Sequence, residues 1–143
     1  MKANLQMSWV GMAAAAMLVA GCAGMGGRDS TARVSLSGAE QNPPVSTSAS
    51  GQGSFTVKAD RTISGSVTTT GVTGTVAHIH TGAKGSNGPV TIPLVKTGDN
   101  VWSVPPNTKL TDAQYEAYKS GGLYVNVHSA QHKPGEIRAQ IRP

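Results

Sequence analysis

The apolar positions of this chain follow two unlike patterns. Between Met7 and Ala20 they run almost without interruption, whereas from Ala32 onwards they alternate with polar residues in short stretches. Alternation with period two puts one set of side chains on each face of an extended strand, and the runs here are punctuated by glycine, proline, asparagine and aspartate. The predicted strands are Ala32 to Ser37 around Val34 and Leu36, Gly53 to Ala59 around Phe55 and Val57, and Thr62 to Thr69 around Ile63 and Val67. Val76 to His80, Pro89 to Val95, a short piece from Val101 to Val104, Leu123 to His128 and Glu136 to Ile141 complete the set. Thr81 to Gly88 is too rich in glycine to be anything but a loop.

One segment breaks the alternation. Thr111-Asp112-Ala113-Gln114 has the spacing of a capping box, in which the Thr111 hydroxyl accepts from the first turn and Gln114 reaches back, and Gly121-Gly122 supplies the stop. About eight strands and one short helix predict an all-β fold, an antiparallel β-sandwich over residues 32–143. With one Phe and two Trp in the chain, and Trp9 in the leading apolar run, the core is expected to be Val, Ile, Leu and Tyr packed around Trp102.

The leading run belongs to export, not to the fold. Lys2 precedes it, and an apolar stretch of about 14 residues suits an export signal while falling short of the roughly 20 that a spanning helix needs. It ends Leu18-Val19-Ala20-Gly21-Cys22, which resembles the lipobox of bacterial lipoproteins, where the cysteine is lipidated and becomes the new N-terminus. Residues 1–21 are therefore read as a signal peptide and Cys22, the one cysteine of the chain, as the lipidation site. Residues 22–31, small, polar and glycine-rich, are expected to be a flexible tether from the membrane. Ala23, in place of aspartate, suits sorting to the outer membrane, facing the periplasm, in a host with two membranes. An exported domain with no second cysteine has no disulfide, so packing and hydrogen bonds must stabilise it.

Charge excludes one class of partner. The formal net charge is +5, but the lysines and arginines are scattered and no basic stripe interleaves with aromatics, so a nucleic-acid function is not expected.

The chemistry concentrates in histidine. Ala77-His78-Ile79-His80 puts two imidazoles on one strand face, roughly 7 Å apart at the backbone. His128 lies on a second strand, sharing its face with Tyr124 and Asn126. Two rings from one strand and a third from a neighbour make a three-ligand set for a metal ion, with His132 in the following turn as a candidate fourth ligand. Asn126 and Glu136 are candidates to accept the N–H groups that metal-bound imidazoles donate. Imidazoles without thiolate or thioether favour Cu(II) or Zn(II), copper leading by affinity. The competing reading is a hydrogen-bonded polar cluster in which the rings only pack. Glu136 and Arg138 share a strand face and are expected to form a surface ion pair.

Four motifs in order extend this picture. Leu36 to Val45 (Leu-Ser-Gly-Ala-Glu-Gln-Asn-Pro-Pro-Val), Ala77 to His80 with Gly88-Pro89-Val90 behind it, Gly122 to His128, and Pro134 to Ile141 resemble the CHRD domain, named from chordin and widespread in exported bacterial proteins. The resemblance covers residues 33–142 and implies an immunoglobulin-like or superoxide-dismutase-like β-sandwich. It implies no particular activity. Ala139 stands where the family usually has glycine, and His132 where an aromatic or asparagine is commoner. The His-X-His strand also looks like the copper-binding strand of copper–zinc superoxide dismutase. That enzyme needs a second metal site and a disulfide, and four histidines with one cysteine do not supply them.

No nucleophile elbow, phosphate loop or zinc-protease helix is present, and an enzyme is not expected. Two functions remain from the sequence: a membrane-anchored exported domain that binds copper or zinc, or a non-catalytic module that meets a protein or cell-envelope partner and whose histidines are structural.

Overall fold

The computed structural model describes residues 27–143. The segment read as a signal peptide, Cys22 and half of the segment read as a tether lie outside the described residues. Nine strands form: β1 (Ser30–Ser37), β2 (Ser50–Val57), β3 (Ile63–Thr70), β4 (Gly74–Thr81), β5 (Val90–Pro93), β6 (Val95–Gly98), β7 (Val101–Ser103), β8 (Leu123–Ser129) and β9 (Ile137–Ile141). A 3-10 turn spans Gly38–Glu40 and one helix, α1, spans Asp112–Lys119. β1 begins inside the segment read as tether, because Ser30 and Thr31 continue the ladder opposite Val57 and Thr56.

All strands join one antiparallel ladder in the order β5-β4-β8-β9-β1-β2-β3-β7-β6. The ladder folds over so that its two halves face each other across one core. Phe55 and Val67 from one half meet Ile79, Val125 and Val127 from the other in a single buried cluster, with Trp102 inside it as expected. Closure is nearly complete. The run predicted as one strand from Pro89 to Val95 divides at Leu94: β5 pairs with β4 at one end of the ladder, and β6 pairs with β7 at the other. Leu94 donates its backbone N–H to Ala77 O at 2.9 Å and is the corner at which the chain changes partner. Periodicity cannot reveal such a corner, since the alternation of side chains is blind to which strand lies alongside.

The helix forms where the capping box placed it. Thr111 Oγ1 accepts from Gln114 N at 3.2 Å and Gln114 Oε1 accepts from Thr111 N at 2.9 Å. Tyr118 turns into the core, and Gly121, at φ +74°, ends the element in a backbone region that a side chain would strain.

One part of the sheet is buried on both sides. Along β8 every residue from Leu123 to Val127 is buried, although only Leu123, Val125 and Val127 face the apolar core. Tyr124, Asn126 and His128 point the other way, beside His78 and His80 on β4 and Arg138 and Gln140 on β9. The loop of residues 82–89 and the segment after β1 fold over this outer face and enclose a layer of polar side chains.

Candidate metal centre

The three histidines converge as their register requires. His78 stands opposite Asn126, His80 opposite Tyr124, and His128 opposite Val76, so the three rings occupy adjacent positions of the outer face. Ring centroids lie 5.5 Å apart for His78 and His80, 5.0 Å for His78 and His128, and 6.1 Å for His80 and His128. A nitrogen can be chosen from each ring so that all three lie within 4.8 Å of one another. Donors about 2.1 Å from a tetrahedral ion sit roughly 3.4 Å apart, so the set closes with small ring rotations. The β4–β5 register shifts beside Ile79 and His80, with Thr91 of β5 as the extra residue, while β4 keeps unbroken register with β8 from Val76 to Thr81.

Hydrogen bonds assign the tautomers. His80 Nδ1 lies 2.9 Å from Gly88 O and His128 Nδ1 lies 2.7 Å from Lys133 O. A carbonyl only accepts, so both Nδ1 atoms carry the proton and both Nε2 atoms present a lone pair. The His128 lone pair accepts from His78 Nδ1 at 3.2 Å. His80 Nε2 has no partner at all, although it is buried and its residue only 8% exposed. Among the described residues the one other buried side-chain atom without a partner is the Tyr118 hydroxyl, on the helix.

The environment favours the neutral form of His78 and His80. Burial lowers the His78 pKa below its ordinary 6.5, with repulsion from His128 and His80 adding to it. Burial also lowers that of His80; the Gly88 carbonyl opposes the shift, and His128 and Arg138 reinforce it. Neutral imidazole is the form that coordinates metal.

The neighbours differ from expectation. Asn126 and Glu136 do not receive imidazole N–H groups; backbone carbonyls of Gly88 and Lys133 do. Asn126 instead accepts from Gln41 Nε2 at 2.7 Å and donates to Pro134 O at 3.1 Å, so it steadies the turn that presents Lys133. Glu136 accepts from Thr47 Oγ1 at 2.7 Å. Burial would raise its pKa, but hydrogen bonds from Ser129 and Thr47 and the charge of His132 outweigh that and lower it. His132 stays apart from the three-ring group. Its ring lines a small cavity of about 170 Å³ with Pro43 and Pro134, and its backbone carbonyl shapes the turn by accepting from Gly135 N at 3.0 Å.

Arg138 is the clearest correction. The expected surface ion pair with Glu136 does not form; the side chain is 1% exposed and lies over the Tyr124 ring at 3.5 Å. Alternation marked Arg138 as facing away from the apolar core, but could not show that a loop covers that face. Tyr124 was legible on the same grounds, as the residue two positions from Asn126 and four from His128.

The CHRD domain family matches residues 32–141, nearly the whole of the described chain. The chain belongs to the CHRD family. No curated protein and no solved structure matches it. The all-β fold of this CHRD domain, with its strands antiparallel around one core, agrees with the sandwich read from its sequence.

Proposed function

We propose that this protein is an exported lipoprotein, anchored through Cys22, whose CHRD domain binds one divalent transition-metal ion, copper foremost, through His78, His80 and His128. The observation that carries the reading is His80 Nε2, a buried lone pair without a partner. Leaving a buried acceptor unmade costs about 1–3 kcal/mol, a cost that a coordinated ion removes. The carbonyl partners on the far nitrogens of His80 and His128 are what metal-ligating imidazoles ordinarily have. Three nitrogens leave one position of a tetrahedral ion for water or a passing ligand. The role proposed is binding, buffering or sequestering copper at the cell envelope, not catalysis. The lipobox supports the anchor, and Ala23 supports an outer-membrane location facing the periplasm where the host has two membranes.

Chelator competition with Cu(II) and Zn(II) tests the site, comparing the mature protein with its His78→Ala/His80→Ala variant. The wild type is expected to hold the ion more tightly by at least about 100-fold, given that even indirect partners of a ligand contribute 10–100-fold. Equal affinities would leave a partner-binding module as the better account.

A further inference from the structure

Resting on that metal-binding reading, we propose that Tyr124 and Arg138 are positioning residues for the centre: they hold the loop of residues 82–89 as a strap whose Gly88 carbonyl keeps His80 in the tautomer that offers Nε2 to the ion.

The loop has little reason to hold one shape by itself. Gly82, Gly85 and Gly88 give it wide backbone freedom, which must be restricted by contacts from outside. Arg138 supplies more of them than any other residue. Its guanidinium donates to Ala83 O at 3.1 Å, to Ser86 O at 2.9 Å and to Asn87 Oδ1 at 3.2 Å. Gln140 Nε2 adds a bond to Gly82 O at 2.7 Å. Three acceptors in different directions suit a planar fork, and a lysine ammonium would not reach them together.

Tyr124 connects this clamp to the imidazole. β8 lies between β4 and β9, so the Tyr124 ring stands between His80 and Arg138. Its planes are 7° from those of His80 with centroids 4.8 Å apart, while the guanidinium carbon sits 3.5 Å over the ring. The hydroxyl accepts from Gly88 N at 3.0 Å. Gly88 is thus held at both ends of its own residue, its N–H on Tyr124 and its C=O on His80 Nδ1. A side chain there would overlap the Thr81 carbonyl, so only glycine lets the strap come this close. A histidine side chain free in water favours the proton on Nε2, the nitrogen this site needs bare. The strap's carbonyl reverses that preference.

Nitrogen-15 spectra of the histidine rings in the metal-free mature protein, taken above pH 7.5, read the tautomers directly. His80 is expected as the Nδ1–H form in the wild type. Tyr124→Phe removes one hydroxyl and keeps the stack; Arg138→Lys keeps the charge and loses the fork. Both are expected to shift His80 towards the Nε2–H form and to weaken Zn(II) and Cu(II) binding about 10–100-fold. His128, held by Lys133 O, keeps its tautomer in both and serves as the internal control. If Arg138→Lys does not fold, Tyr124→Phe decides. Variants that retain both the His80 tautomer and the wild-type affinity would overturn the positioning role and leave the metal site standing. A wild type that binds neither ion overturns the site itself and the positioning role with it.

Discussion

His78 Nδ1 lies 3.2 Å from His128 Nε2, one imidazole donating its proton to the lone pair of the other across two paired strands. The bond occupies the nitrogen that His128 would offer to a metal, so ion and hydrogen bond compete for it. Metal uptake should break this contact and free the His78 Nδ1 proton, visible as a change in both ring-nitrogen signals on adding Zn(II). Loss of any one of the three rings is expected to weaken binding by more than about 100-fold. His132→Ala, on a ring outside the group, is expected to change it by less than about threefold.

The pH dependence follows from burial. His78 and His80 have pKa values below 6.5 in the folded protein, whereas the unfolded chain titrates at the ordinary value. Between those values the unfolded state binds more protons, so stability of the metal-free domain is full above about pH 6.5 and is lost as pH falls through the lowered values. Metal affinity should hold nearly constant until pH falls to the lowered values of His78 and His80 in the folded protein, and then fall by about tenfold per unit for each ring that protonates. Denaturant midpoints and metal competition measured from pH 8 to pH 5 check both. Stability that rises on acidification through this range would contradict the assignment.

The domain is expected to fold without metal. Its core gathers Phe55, Trp102, Leu36, Ile79 and Val127 with many neighbours on one side of the sheet, while the histidines sit on the other. Unfolding in chelator should therefore remain cooperative, and added Zn(II) should raise the melting temperature only by the mass-action amount. A domain that loses its near-ultraviolet dichroism in chelator would show that the ion is part of the fold.

Phe55 offers a test of the core alone. It is fully buried, between strands on either side in β1 and β3. Phe55→Ala should cost about 3–5 kcal/mol in denaturant unfolding, through lost burial and the cavity left behind, with Zn(II) affinity of the folded fraction unchanged.

Anchoring has its own test. Cys22→Ser should abolish lipidation and leave the protein as an unprocessed precursor or a soluble species in fractionated cells. Normal processing and membrane partition of the variant would remove the lipobox reading.

Local pattern determined a good deal of this protein. Alternation placed β1, β2, β3, β4, β8 and β9 within a few residues of their ends, because which face a side chain takes in a strand depends only on its parity. The capping box set α1, since its two hydrogen bonds span three residues. His78, His80 and His128 were legible as a set because shared parity on two strands puts rings on one face once those strands pair.

What the tertiary structure decided is everything that depends on which segment lies over which. The division of 90–98 at Leu94, the loop covering the outer face of β8, and the burial of Arg138 beneath it involve residues far apart in sequence, and parity carries no record of them. The same holds for the partners of the imidazoles. They are the Gly88 and Lys133 carbonyls, backbone atoms that every residue possesses, so no choice of side chain marked them; only the path of the chain brings them to His80 and His128.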